Sequence, residues 1–282
     1  MPDDPLVTPE WLHEHLGDER VKVVDCSWYL PGDPRDPKAE FEQARIPGAV
    51  FFDIDEIADR ASPMAHMAPP PEQFALQVGA LGIAAEDTVV VYDGVGLFSA
   101  PRGWWTFRLF GHAKVFVLEG GLPRWKAEHR PLEHGPREAP APVHYTAATH
   151  AHLVRSLDEV RRALDEGSEQ VLDVRPADRF RGDTPEPRPG MRAGHMPAAK
   201  SLPVSELLAD GGLKPAAELD AAFRGAGIDV EGPIVTTCGS GVAACTAALA
   251  LARLGRWQPA VYDGSWTEWG SRADTPVVTG PA

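Results

Sequence analysis

Pro233-Ile-Val-Thr-Thr-Cys238-Gly-Ser-Gly-Val-Ala-Ala-Cys245-Thr-Ala-Ala-Leu-Ala-Leu-Ala-Arg-Leu-Gly255 changes character twice within one run. The β-branched residues after Gly232-Pro233 read as a short buried strand. The Ala/Leu-rich half reads as a helix that stops at Gly255. Between them lies a tight Gly-rich loop headed by Cys238. Such a loop turns backbone N–H groups inward, and the helix adds positive potential at its first turn. Both features favour a thiolate over a thiol, which places Cys238 as a nucleophile. Gly239 and Gly241 read as positions where a Cβ would obstruct the backbone. A cysteine at a strand end is otherwise commonly core. The setting of strand, cysteine, paired glycines and helix decides against that here.

Working outward, the chain contains a weak copy of itself. Val21-Lys-Val-Val-Asp25 answers Gln170-Val-Leu-Asp173, each an apolar strand ending in Asp. Arg45-Ile-Pro-Gly48 answers His195-Met-Pro-Ala198, and Leu81-Gly-Ile83 answers Ala226-Gly-Ile228. Thr88-Val-Val-Val-Tyr-Asp93 answers Ile234-Val-Thr-Thr-Cys238, and Val117-Leu-Glu-Gly-Gly-Leu-Pro-Arg-Trp125 answers Val261-Tyr-Asp-Gly-Ser-Trp-Thr-Glu-Trp269. The lag drifts only from 150 residues (Pro47 to Pro197) to 144 (Gly120 to Gly264). Agreement in order and spacing over the whole length identifies a duplicated domain.

In each half, short strands alternate with helix signals. Thr8-Pro9 reads as an N-cap with proline at the first position, and Ser156-Leu-Asp-Glu159 as a capping box. The fold class expected is α/β, tandem domains that each carry a mainly parallel sheet flanked by helices. The Pro-rich stretch Glu133-His-Gly-Pro-Arg-Glu-Ala-Pro-Ala-Pro142 marks the seam. It sets a first domain at 1–135, a linker at 136–149 and a second domain at 150–282. Ligands of parallel sheets sit beyond the carboxyl ends of the strands, where Cys238 falls. Asp93 takes the cysteine's seat in the first half, so that half is expected to be non-catalytic.

The 282 residues suffice for two domains with cores of their own. Lys and Arg number 27 against 41 Asp and Glu, a net charge of −14, which argues against nucleic acid or an anionic membrane as partner. A local pair of arginines can still meet a small anion. Cys26, Cys238 and Cys245 form neither a disulfide framework nor a zinc pattern, and Cys26 and Cys245 read as core. No apolar run is long enough to span a membrane, and Met1-Pro-Asp-Asp-Pro lacks the features of a signal peptide. A reducing, cytoplasmic setting is expected, with no cofactor and no metal.

The tandem halves, the Arg-Ile-Pro-Gly and Gly-His-Met-Pro turns and the cysteine loop resemble the two-domain rhodanese-type sulfurtransferases. Phe51-Phe-Asp-Ile-Asp55, Ser62-Pro with His66-Met, Phe98-Ser-Ala-Pro-Arg-Gly-Trp-Trp105 and Arg179-Phe-Arg-Gly with Pro185-Glu-Pro-Arg188 extend the likeness. The loop is similar to that of the 3-mercaptopyruvate branch, except that Ala243 stands where the family usually has Thr. The resemblance implies that Cys238 takes sulfane sulfur from 3-mercaptopyruvate and passes it to cyanide, a small thiol or thioredoxin.

It further implies donor binding by Arg179 and Arg188, with Gly239, Gly241, Val242 and Ala243 of the loop. Arginine's planar fork suits a carboxylate. Composition alone reads these arginines as solvated loop charges or as partners of Asp183 and Glu186. An array of Ser240 with His66 and Asp55 of the first domain is implied as a shuttle for the donor thiol's proton.

Three other functions compete. A thiosulfate:cyanide sulfurtransferase is the alternative within the class, and the uncharged Gly239 and Ser240 argue against a dianionic donor. A phosphatase or arsenate reductase needs Arg six residues after the cysteine, where Ala244 stands. A non-catalytic sulfur- or anion-binding module is opposed by the intact Cys238 loop.

Overall fold

Short β-branched strands separated by helix-length segments pair in parallel, because each connection is long enough to cross over the sheet. In the computed structural model, which describes residues 4–282, the first sheet is built this way. Its strands are β1 (Leu6–Val7), β2 (Val21–Asp25), β3 (Val50–Phe51), β4 (Thr88–Tyr92) and β5 (Val115–Leu118). They lie in the order β1-β5-β4-β2-β3, every pair parallel. Helices α1 (Pro9–His15), α2 (Pro37–Gln43), α3 (Pro71–Ala80), α4 (Ala100–Leu109) and α5 (Gly121–Ala127) alternate with them.

The second sheet has strands β6 (Val154–Arg155), β7 (Gln170–Asp173), β8 (Lys200–Ser201), β11 (Ile234–Thr237) and β12 (Ala260–Tyr262). A two-stranded ribbon, β9 (Leu208–Ala209) with β10 (Gly212–Leu213), is inserted before β11. Helices α6 (Leu157–Glu166), α7 (Ala177–Arg181), α8 (Ala216–Gly225), α9 (Val242–Arg253) and α10 (Ser265–Trp269) complete the set. With the ribbon left aside, the order β6-β12-β11-β7-β8 is that of the first sheet.

The duplication reaches individual bonds. Trp125 and Trp269 are wholly buried, and their indole N–H groups donate to Pro131 O at 2.7 Å and Pro276 O at 2.8 Å. At about 25 cal/mol per Å² and roughly 200 Å² per indole, each contributes several kcal/mol to its core. The matched turns are pinned alike, Arg45 by an antiparallel bridge to Glu133 and His195 by one to Val278. Among the described residues, no helix is long and apolar enough to cross a membrane.

One compact unit takes the chain up to Arg60, Ala68–His150 and Asp210–Gly212; the other takes Ala61–Met67, Ala151–Ala209 and Leu213–Ala282. Two expectations are corrected by this. His66 lies within the stretch assigned to the first domain, yet Ala61–Met67 packs with the second unit. The linker expected at 136–149 is strapped to the first unit. Val143 N donates to Gly79 O at 2.9 Å, Ala148 N to Phe110 O at 3.0 Å, and His150 N to Leu109 O at 2.7 Å. Tyr145 is buried, edge-on to Phe74, and its hydroxyl lies 3.1 Å from His112 Nδ1. The Tyr145 anchor and these backbone bonds help to hold a stretch whose composition reads as loose.

Asp25 and Asp173 end matched strands and differ in their partners. Asp173 is paired with the buried Arg175. Asp25 has Ser27 at the matching place, whose N–H it accepts at 2.8 Å. Burial without a cation pushes the Asp25 carboxyl up to about 6. The folded state therefore holds this proton more tightly than the unfolded chain. Its contribution to stability is complete below the ordinary value of 3.8 and is lost as pH rises through about 6, on the order of 3 kcal/mol. Asp25→Asn should gain thermal stability over the parent progressively between about pH 4 and 6 and hold a constant lead above that. A lead that does not change with pH would show that Asp25 does not titrate in this window.

Candidate active site

β11 is buried along its length and delivers Cys238 to the carboxyl end of the sheet, 4% exposed. The loop 238–241 then turns into α9, whose cap residue Gly241 has φ 80°, a left-handed conformation that glycine adopts without a Cβ penalty. Gly239 does not share that demand. Its φ lies outside the left-handed region, and a Cβ there would meet only Arg179 Nη2 at 3.5 Å, an ordinary contact. The backbone requirement expected of both glycines falls on Gly241 alone. α9 is buried at Val242 and from Ala244 to Ala252, so small residues let it sit inside the core and fix the loop at its head. Cys245 is core within it, its thiol 3.2 Å from Gly241 O.

The first unit shows what a loop of this design can hold. Asp93 Oδ1 accepts the N–H groups of Val95 at 3.0 Å and Gly96 at 2.9 Å. Asp93 Oδ2 accepts those of Phe98 at 2.7 Å, and of Ser99 and Ala100 at 2.9 Å each. Five amides converge on one anion supplied by the chain itself. In the second unit the same seat carries a thiol.

Beside the Cys238 loop stands a buried ion network. Arg175 lies over the Trp266 ring at 4.1 Å and donates to Asp173 Oδ2 at 2.7 Å, Glu186 Oε1 at 2.8 Å and Gly194 O at 2.8 Å. Glu186, its side chain fully buried, also pairs with Arg179. Arg179 is thus a partner of Glu186 and a neighbour of the loop at once. Arg188 Nη1 donates to Thr267 Oγ1 at 3.0 Å, and Arg181, not Arg179, pairs with Asp183.

Ser240 is buried in the loop, with Val242 and Ala243 opening α9. His66, with φ 65°, is 5% exposed in the second unit. Asp55 belongs to the first unit, where it accepts the Trp28 indole N–H at 3.1 Å. Sequence reasoning missed Arg175, Ser265 and Thr267. An arginine two residues after a strand-ending aspartate was the available signal for Arg175.

Comparison with known proteins adds to this geometry. The Rhodanese-like domain matches twice, at residues 8–128 and 156–272. The 3-mercaptopyruvate sulfurtransferase of Escherichia coli K12 is 44% identical over 96% of this chain and 97% of its own. Thiosulfate/3-mercaptopyruvate sulfurtransferase 1, mitochondrial, of Arabidopsis thaliana is 41% identical over 97% of this chain and 78% of its own. The crystal structure of SseA from Escherichia coli superposes with a TM-score of 0.86 at 40% identity, covering 93% of this chain and 99% of that one.

Replacing Arg175 by Met leaves Asp173 and Glu186 buried without their shared cation. Denaturant unfolding should show the second unit destabilised by about 3–5 kcal/mol. A loss under about 1 kcal/mol would mean that the network does not hold this end of the sheet.

Proposed function

The chain belongs to the rhodanese-like sulfurtransferases, and on that premise we propose that it moves sulfur from 3-mercaptopyruvate through a persulfide on Cys238. The thiolate attacks the donor's sulfur, an S–S bond forms and the C–S bond breaks. The carbon fragment leaves as the enolate of pyruvate and takes up a proton. Cyanide or a thiolate then attacks the outer sulfur, which leaves with the acceptor and returns Cys238 as a thiolate. The observation that carries this reading is the Asp93 cradle, in which a matched loop satisfies a full carboxylate with five amides. A loop of that design suits the thiolate and persulfide anions of Cys238.

The donor's carboxylate is assigned to Arg179, whose Nη2 lies beside Gly239, and to Arg188, which bonds the same Thr267 hydroxyl that reaches Gly239 O. Ser240, with His66 and Asp55, is the proposed relay for the donor thiol's proton, a role supported by the family resemblance. Small thiols, thioredoxin and cyanide are the proposed acceptors, and a reducing cytoplasm the proposed setting, in keeping with three free cysteines. Thiosulfate is the second donor considered, since the Arabidopsis relative's name includes it. The neutral Gly239 and Ser240 offer its second charge no partner.

Transfer to cyanide should therefore be faster with 3-mercaptopyruvate than with thiosulfate, and Cys238→Ser should abolish both. Equal or greater activity with thiosulfate would overturn the donor assignment, and turnover by the serine variant the mechanism. Arg188→Lys removes the fork but keeps the charge. It should raise KM for 3-mercaptopyruvate about tenfold, and an unchanged KM would remove Arg188 from the site.

A further inference from the structure

The turn from β12 into α10 grips the cysteine loop through more bonds than its counterpart in the first unit can make. One bond is common to both units. Trp266 N donates to Cys238 O at 3.0 Å, and Leu122 N donates to Asp93 O at 3.0 Å. Three others occur at Ser265 and Thr267. Ser265 Oγ accepts from Cys238 N at 3.3 Å while donating to Tyr262 O at 2.8 Å. Thr267 N and Thr267 Oγ1 both donate to Gly239 O, at 2.9 and 2.7 Å. Thr267 Oγ1 also accepts from Arg188 Nη1 at 3.0 Å.

The first unit has Gly121 and Pro123 at these two places. Glycine has no hydroxyl, and proline has neither hydroxyl nor N–H, so none of the three bonds can form there. Ser265 also keeps the backbone conformation of the glycine it matches, φ 50° against 52°. That conformation is unfavourable for a residue with a Cβ and neutral for glycine. A wholly buried serine sits in the strained position only in the unit that carries the thiol. The hydroxyl is what the strain retains.

We propose that Ser265 and Thr267 are positioning residues for sulfur transfer. Ser265 fixes the backbone at Cys238, and Thr267 ties the Gly239 carbonyl and the Arg188 guanidinium to one hydroxyl. Through that hydroxyl, the cation assigned to the donor's carboxylate is held in register with the loop that carries the nucleophile. Neither side chain need touch the donor. The proposal rests on the functional reading above.

The test uses three variants of the full chain. Thr267→Val keeps the shape and the N–H bond but loses the hydroxyl. It should raise KM for 3-mercaptopyruvate about tenfold with kcat within about twofold, as a lost bond to a charged group does. Thr267→Ser restores the hydroxyl and should restore KM. Ser265→Gly, the residue of the first unit, should fold with an equal or higher melting temperature and lower kcat about tenfold.

A second readout does not depend on the donor. The ratio of Cys238 alkylation by iodoacetate to that by iodoacetamide should fall several-fold in Thr267→Val and recover in Thr267→Ser. Parent-like KM and alkylation ratio in Thr267→Val, or equal losses in the valine and serine variants, would overturn the role of Thr267. Parent-like kcat in Ser265→Gly would overturn that of Ser265. A parent without transfer from 3-mercaptopyruvate but with the expected alkylation pattern would refute the donor and leave the positioning intact. Should Thr267→Val fail to fold, Ser265→Gly decides the proposal, because its backbone conformation favours the substitution.

Discussion

Backbone amides that converge on one point must be given an anion, and that constraint, seen at Asp93, frames the proposal made for the matching seat at Cys238. In both units a strand ends, a short loop follows and a helix begins. In the first unit the demand is met internally by Asp93. In the second the seat holds Cys238, the residue on which the proposed persulfide forms. The matching seats thus hold a structural anchor in one unit and, in the function proposed above, a nucleophile in the other. What differs is a single side chain and the groups that have gathered around it.

Those groups are consistent with the difference. Asp25 ends its strand without a cation, and burial pushes its carboxyl up to about 6. Asp173 ends the matching strand against Arg175, which also reaches Glu186 and through it Arg179. A buried ion network stands beside the Cys238 loop, although the chain as a whole is acidic. The buried Arg175 has two buried carboxylate partners, as the cost of taking its charge out of water requires. The result is a buried, charge-paired network beside the Cys238 loop on a protein of net negative charge.

The fold was legible because duplication writes each signal twice. Strands ending in Asp25 and Asp173, and turns at Pro47 and Pro197, repeat at a nearly constant lag, and both sheets have one strand order. The loop headed by Cys238 was legible from local pattern, since strand, glycines and helix are neighbours in sequence. Tertiary choices were not. Nothing in Ala61–Met67 says that it packs with the second unit. The strap 136–149 depends on Tyr145, one aromatic among prolines. Ser265 and Thr267 differ from Gly121 and Pro123 in plain sight, but their meaning appears only when their hydroxyls are seen at Cys238 N and Gly239 O.

The central claim is that sulfur resides on Cys238 between donor and acceptor. Peptide mass spectrometry of the protein after brief exposure to 3-mercaptopyruvate, without acceptor, tests it most directly. The account predicts one added sulfur atom on the peptide containing Cys238, lost when cyanide is supplied, with Cys26 and Cys245 unmodified. Sulfur found on another cysteine, or a Cys238 peptide that stays unmodified while pyruvate is released, would contradict it.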